Sequence, residues 1–337
     1  MNKILTKNLS KQNILIDNHG RTINYLRLSV TDRCNYRCTY CMPEKMKFLP
    51  KKDLLTFEEM DHLCSLFISR GIKNIRLSGG EPLVRKGIFK FISNLSRYIS
   101  NGDIDEITLT TNGSQLKSFS DDLFQSGVRR INVSLDSLNE EKFNQITRRD
   151  DLNNVIDGLE AAKKAGLKIK INTVVIKNKN LDEIENIISW SHKNNFDISL
   201  IETMPMGLTD KDRIDQYISL SDVKSIIEKK LTLNDSNYKT SGPSKYYRVK
   251  ETDGLIGFIT PLSDNFCSSC NRIRLTSTGK LYMCLGQNNN IDFRNLLRKG
   301  DEKSLNLAID SAMKNKPKSH DFDISHKNQT PAVDRHM

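Results

Sequence analysis

The sequence lacks what a membrane-embedded or exported chain needs. No apolar run approaches the ~18 residues of a membrane-spanning helix. Residues Met1–Asn18 alternate Lys and Asn with short aliphatic pairs, without the apolar core and small-residue cleavage site of a signal peptide. A reducing, cytoplasmic location is therefore expected, where metal-binding or catalytic roles for the seven cysteines outrank disulfides. Also missing is any basic block interleaved with aromatics, which a single-stranded nucleic-acid track requires. What is present is a net charge of +11, from 52 basic and 41 acidic residues. That balance favours anionic ligands such as nucleotide phosphates, although Lys is also spread over solvated faces. With 337 residues, 37% apolar and 28% charged, the chain suits one large domain, or one large and one small, with a core that needs no disulfide staples.

Strand-like and helix-like runs alternate between residues 24 and 202. Strands are expected at 25–30, 72–77, 106–111, 129–135, 167–175 and 196–201. Helices are expected from a capping box at Thr56-Phe57-Glu58-Glu59, then at 88–99, 120–126, 152–165 and 181–194. Such alternation implies parallel pairing with right-handed crossovers. Six units fall short of the eight that close a barrel, so the expected fold is α/β, a partial TIM-like barrel of six strand–helix units. From residue 216 the rhythm changes to a short helix at 220–230 and hairpins at 246–260 and 272–284, read as a smaller module laid across the open mouth. The expected segments are an N-terminal extension (1–20), the partial barrel (21–215), the C-terminal module (216–312) and a polar tail (313–337).

Each strand's C-terminal end runs into a polar or glycine-rich segment: Thr31-Asp32-Arg33-Cys34, Ser78-Gly79-Gly80-Glu81, Thr111-Asn112-Gly113, Ser134-Leu135-Asp136-Ser137, Asn172-Thr173 and Glu202-Thr203-Met204. In barrel-like α/β folds those ends converge on one face, where ligands bind. Any one of them could be an ordinary turn. The coincidence of all six describes an active-site mouth.

The cysteines divide three, three and one. Cys64 lies on the apolar face of the capped helix beside Met60, Phe67 and Ile68, as a buried free cysteine does. Cys34, Cys38 and Cys41 follow the first strand with spacing C-x3-C-x2-C and no fourth Cys or His close by, against the four-ligand habit of structural zinc. Three thiolates can ligate three irons of a four-iron cluster and leave the fourth open, free to chelate the amino and carboxylate groups of S-adenosylmethionine. This spacing is the signature of the radical S-adenosylmethionine superfamily. In that superfamily the glycine pair after the second strand, Gly79-Gly80, meets the methionine moiety, since glycine lets backbone approach a ligand closely. Cys267, Cys270 and Cys284 form the second set. From spacing alone, half of a zinc ribbon and a second cluster with a free iron both stand. Arg272 and Arg274 follow on one strand face, with Ile273 and Leu275 on the other. Two guanidiniums beside a metal make a phosphate clamp.

Taken together these segments closely resemble the GTP 3′,8-cyclase (MoaA) family, which opens molybdenum-cofactor biosynthesis. The resemblance runs over roughly residues 12–320. It is carried by Leu26 to Pro43, Ile75 to Leu83, Thr110 to Gly113, Asn132 to Ser137, Lys170 to Val174, Gly257 to Pro261, Phe266 to Leu275 and Cys284-Leu285. It implies two four-iron clusters, one on each cysteine set, and S-adenosylmethionine. An adenosyl radical would abstract hydrogen from ribose C3′ of GTP, and the carbon radical would attack guanine C8. By family pattern Tyr40, Gly80, Ser134 and Met204 would contact S-adenosylmethionine. Arg27, Arg76, Thr110, Lys170, Arg272, Ile273 and Arg274 would contact GTP, with Arg27, Arg272 and Arg274 as the catalytic set. Guanine would reach the free iron at the second set, so the two sets are expected to face each other across a single cavity. The implied partners are GTP, a protein or small-molecule reductant and the next pathway enzyme. No membrane and no nucleic acid is expected, and the state is monomer or homodimer.

One departure concerns the tail. The family ends in Gly-Gly, whereas this sequence ends Pro331-Ala332-Val333-Asp334-Arg335-His336-Met337, read as a truncated or diverged tail. The resemblance therefore carries binding further than turnover. Two rivals are a peptide-modifying radical enzyme with an auxiliary cluster and a metal-dependent nucleic-acid-binding protein. The first usually has more C-terminal cysteines, and the second leaves Cys34, Cys38, Cys41 and the glycine pair unexplained.

Overall fold

The computed structural model describes residues 14–206 and 214–322. Residues 1–13 of the expected N-terminal extension and the Arg335–Met337 tail element lie outside the described residues. Strand β1 (Tyr25–Ser29) is followed by α1 (Phe57–Ser69), β2 (Asn74–Ser78), α2 (Ile88–Ser100), β3 (Glu106–Thr111), α3 (Leu116–Gln125), β4 (Arg130–Ser134), α4 (Glu140–Thr147), α5 (Leu152–Lys164), β5 (Lys168–Val175), α6 (Ile184–Lys193) and β6 (Asp197–Glu202). All six strands pair in parallel with their sequence neighbours. The capping box forms as the sequence predicts: Glu59 N donates to Thr56 Oγ1 at 3.2 Å and Thr56 N donates to Glu59 Oε2 at 2.8 Å. Three local expectations change. Helix α3 begins four residues before Ser120, a 3-10 turn at Leu181–Glu183 precedes α6, and α4 was not expected.

The remaining elements are α7 (Leu220–Ile227), β7 (Leu233–Asp235), β8 (Lys245–Val249), β9 (Leu255–Ile259), β10 (Arg272–Leu275), β11 (Lys280–Tyr282), β12 (Asn290–Asp292), α8 (Arg294–Arg298) and α9 (Glu302–Lys314). Both expected hairpins are present, but they do not simply lie across the mouth. Strand β10 pairs in parallel with β1 and β9 pairs in parallel with β6. The result is one 12-stranded sheet, ordered β12-β11-β10-β1-β2-β3-β4-β5-β6-β9-β8-β7. The six core strands thus gain one parallel neighbour at each edge. The module extends the barrel wall because β1 and β6 would otherwise expose unpaired edges. Toward the C-terminus the expected tail is anchored at first. Helix α9 runs to Lys314, Met313 and Lys316 are buried, and His320 Nε2 lies 2.6 Å from the Pro261 carbonyl.

Alternation along the strands makes the sheet two-faced. Leu26, Leu28, Ile75, Leu77, Ile107, Leu109, Ile131, Val133, Ile171, Ile198, Leu200, Ile273 and Leu275 belong to one apolar core under the helices. The opposite, concave face carries Arg27, Arg76, Thr108, Arg130, Asn132, Lys170, Ser199 and Arg274. One buried carboxylate ties the end of β6 to the C-terminal region. Glu202 accepts Leu220 N at 3.0 Å, Leu262 N at 2.8 Å and Ser263 N at 3.2 Å, and also the Ser263 hydroxyl. Glu202→Ala leaves these donors without a protein acceptor, at ~1–3 kcal/mol for each that stays dry. Chemical denaturation is expected to show a loss of at least about 2 kcal/mol.

Candidate functional site

The first cysteine loop leaves the C-terminal end of β1 and is held from three sides. Gly80 N donates to Thr31 O at 2.9 Å and Glu81 N to Arg33 O at 2.8 Å. A Cβ on Gly80 would sit 2.2 Å from Arg33 O and 2.9 Å from Cys34 N, so only glycine allows this approach. The Glu81 carboxylate accepts Thr111 Oγ1 at 2.8 Å and Asn112 N at 2.7 Å. Asn112 Nδ2 then reaches Asn35 Oδ1 at 2.9 Å and Cys34 Sγ at 3.8 Å. The third anchor is the unexpected helix α4. Thr39 N donates to Ile146 O at 2.8 Å, Arg37 N to Thr147 O at 3.0 Å, and Phe143 meets the Tyr36 ring edge-on at 6.1 Å. Burial pushes the Cys34 thiol up to about 12 and raises Cys38 as well. Metal binding here must displace those protons.

Tyr40 donates its hydroxyl to Asp136 Oδ2 at 2.7 Å, and Asp136 Oδ1 accepts Val174 N at 2.8 Å. Asp136 is buried, which pushes its carboxyl up to about 6. Sequence reading placed Asp136 among the polar strand ends without singling it out. Ser134 closes β4, and Met204 lies just beyond β6. Tyr40, Gly80, Ser134 and Met204 therefore come from four different strand ends.

Below the mouth runs a row of cations. The register aligns Arg274 of β10 with Arg27 of β1, and Arg27 with Arg76 of β2, so three guanidiniums stand on adjacent strands at a spacing of about 4.8 Å. Arg27 Nε donates to Ser78 Oγ at 3.0 Å and Arg76 Nε to Thr108 Oγ1 at 3.3 Å. No carboxylate among the described residues pairs with Arg27, Arg76, Arg272 or Arg274, and the Nε atoms of Arg272 and Arg274 are buried without a hydrogen-bond partner. Burial, then the charges of Arg274 and Arg76, lower Arg27 to about 9. Arg130 differs, being paired with Glu106 at 2.5 Å. Lys170, buried on β5, donates to Tyr246 Oη at 3.0 Å. Thr110 shares the concave side of β3 with Thr108. Ile273 does not join this row. Its side chain is fully buried in the apolar core behind the sheet, so strand alternation leaves only its backbone beside Arg272 and Arg274.

Cys267 and Cys270 precede β10 and Cys284 follows antiparallel β11, which puts the second set at the N-terminal end of the barrel strands. The two sets are thus separated along the five-residue strand β1, about 16 Å at ~3.3 Å per residue, with the cation row between them. They lie at opposite ends of the barrel strands rather than together at the mouth. Near that far end, Ser241 Oγ donates to Asn74 Oδ1 at 2.8 Å, bridging from the segment before β8 to β2. The Cys270 thiol is lowered to about 6: burial raises it, but Lys316, Arg272 and Arg274 outweigh that. Lys316, which the sequence pattern had consigned to the tail, lies 3.8 Å from Cys270 Sγ. All seven cysteines are free, and among the described residues no His, Cys, Asp or Glu trio is grouped tightly enough to hold a single metal ion.

Comparison with known proteins agrees along the whole channel. The profile of the Radical SAM superfamily matches residues 28–191, and that of Molybdenum Cofactor Synthesis C matches residues 196–322. The chain is 56% identical to the GTP 3′,8-cyclases of Brucella ovis and Brucella abortus over 324 residues, 96% of this chain and 94% of each relative. Among solved structures it resembles Streptococcus suis SuiB bound to S-adenosylmethionine (TM-score 0.59, 15% identity, 85% of this chain and 68% of that one). It also resembles native anSMEcpe with bound AdoMet (TM-score 0.58, 14% identity, 92% and 93%). At such identities these structures support the fold alone. Gly80→Ala is expected to push the first cysteine loop away from its neighbours. Iron content after anaerobic reconstitution should fall, together with the spectral response to S-adenosylmethionine.

Proposed function

This chain belongs to the GTP 3′,8-cyclase family of the radical S-adenosylmethionine superfamily, and on that premise we propose that it cyclises GTP to (8S)-3′,8-cyclo-7,8-dihydroguanosine 5′-triphosphate in the first step of molybdenum-cofactor biosynthesis. Membership implies a four-iron cluster and S-adenosylmethionine. The observation that carries the substrate is the row of half-buried guanidiniums without carboxylate partners between two cysteine sets. A triphosphate supplies the missing negative charge, and Arg forks match its oxygens bidentately.

The residues fit the implied groups. The loop of Cys34, Cys38 and Cys41 presses so closely on Gly80 that a Cβ would not fit, and three thiol donors without a fourth suit a cluster with one open iron. In the second set, cations already lower Cys270 to about 6, as a metal-binding thiolate requires. Cys34, Cys38 and Cys41 would hold a four-iron cluster, and Tyr40, Gly80, Ser134 and Met204 would hold S-adenosylmethionine; bound there, they would supply the radical chemistry for hydrogen removal at ribose C3′. Cys267, Cys270 and Cys284 would hold a second cluster on the guanine side. Arg27, Arg76, Arg272 and Arg274 clamp the phosphates, with Lys170 and Thr110 completing the pocket wall. Arg27 remains protonated at neutral pH despite its lowered value, so its charge is available to the nucleotide. The extended barrel wall and the bridged far end keep water from the radical. A protein or small-molecule reductant provides the electron, the product passes to the next pathway enzyme, and the chain acts as a monomer or a homodimer. No helix among the described residues is long and apolar enough to cross a membrane, and a cytoplasmic location suits the oxygen-sensitive centres.

Two measurements test this reading. Anaerobically reconstituted protein should hold about eight irons per chain in two clusters with little zinc. Given GTP, S-adenosylmethionine and reductant, it should form 5′-deoxyadenosine and the cyclised nucleotide, and deoxyadenosine formed equally without GTP would defeat the assignment. Binding is expected to depend on the clamp. Arg274→Ala removes a charge-assisted contact of ~1.5–3 kcal/mol, so the GTP dissociation constant should rise about 10- to 100-fold while S-adenosylmethionine binding holds.

A further inference from the structure

Lys316 is 3% exposed, which is costly for an ammonium unless its protons and charge are both met. Its three protons have three acceptors: Met283 O at 2.6 Å, Arg272 O at 2.9 Å and Cys270 Sγ at 3.8 Å. No carboxylate among the described residues pairs with it. The charged groups that act on it are Cys270, Arg274, Arg21 and Cys284. Two of these are cations, and the sulfur in contact with the ammonium is Cys270 Sγ.

A second device holds Lys316 in place. Arg21, also buried, donates Nη1 to Cys267 O at 2.7 Å and to Lys318 O at 2.8 Å, and Nη2 to Pro317 O at 2.5 Å. Its Nε is fixed by Asp17 Oδ2 at 2.6 Å. One guanidinium thus ties the turn before β1, the loop of the second set and the chain just after Lys316 into a single node.

We propose that Lys316 is a positioning residue for the second cysteine set, a fixed positive charge set against Cys270, and that the Arg21–Asp17 pair keeps it there. The inference rests on the reading that this set holds a four-iron cluster. A cation beside a cluster favours the reduced, more negative state. Removing it therefore makes that cluster harder to reduce or easier to lose, and leaves the first cluster alone.

The experiment uses anaerobically reconstituted full-length Lys316→Met, Lys316→Arg and Arg21→Lys proteins. Iron is counted per chain, and the two clusters are titrated electrochemically and followed by electron paramagnetic resonance, S-adenosylmethionine marking the first. In Lys316→Met the second cluster should either shift to a more negative midpoint potential or be lost, cutting iron by about half, while Lys316→Arg should stay near wild type. Arg21→Lys, which keeps the charge but not the fork, should release iron from the second cluster to a chelator several-fold faster. An unchanged potential and iron content in Lys316→Met would overturn the inference, as would equal loss from both clusters. If Lys316→Met does not fold, an unchanged chelation rate in Arg21→Lys is the decisive negative. Wild-type protein with one cluster and zinc at the second set would instead defeat the cluster reading itself.

Discussion

Like charges on adjacent strands repel, and burial strengthens the repulsion because less water screens it. Arg274, Arg27 and Arg76 nevertheless stand side by side at one register, and Arg27 is held well below the usual arginine range by burial and by those neighbours. An ordinary eight-stranded barrel fills its interior with layers of branched aliphatic side chains. Here the aliphatics lie behind the sheet, under the helices, and the interior is left polar and cationic. Apolar burial on the convex face stabilises a wall whose concave face would not hold itself together. The unfavourable charge is what the proposed triphosphate would offset.

The two ends of that channel are built differently. Around the first cysteine loop the partners include backbone amides, Asn35, Asn112, Ser114 and the glycine pair, with the Glu81 and Asp136 carboxylates close by. The thiols there are raised chiefly by burial, with Glu81 acting on Cys34, Asp136 on Cys38, and neighbouring cysteines adding to both. At the other end, cations from β10 and from the segment after α9 outweigh burial and lower Cys270. Carboxylates rather than cations near the first set suit S-adenosylmethionine, itself a cation at sulfur. A positive surround suits a place where anionic thiolates and a nucleotide meet.

Much of this was legible from the residues in order. The strand–helix alternation, the Thr56 capping box, both C-terminal hairpins and the division of the cysteines are local patterns, and local patterns are what periodicity and spacing report. Helix α4 escaped because it is short, packs only one apolar stripe and follows a turn rich in Ser and Asn. Ile273 entered only through the family resemblance, and the two-residue period of a strand turns its side chain to the core and leaves its backbone beside Arg272 and Arg274.

The sequence by itself determined the thiol inventory, the six parallel units and the presence of arginines beside the second set, because each is encoded within a few consecutive residues. Only the tertiary structure decided that β10 lies against β1 and β9 against β6, since strands more than two hundred residues apart, or across an intervening helix, carry no shared local pattern. That pairing sets the arginine row in register and sends the second set to the far end of the channel. It also brings Lys316 and Arg21, unremarkable as residues in a polar tail and an N-terminal turn, to within reach of Cys270 and Cys267. Charge placed by distant chain segments becomes visible only once the fold has brought them together.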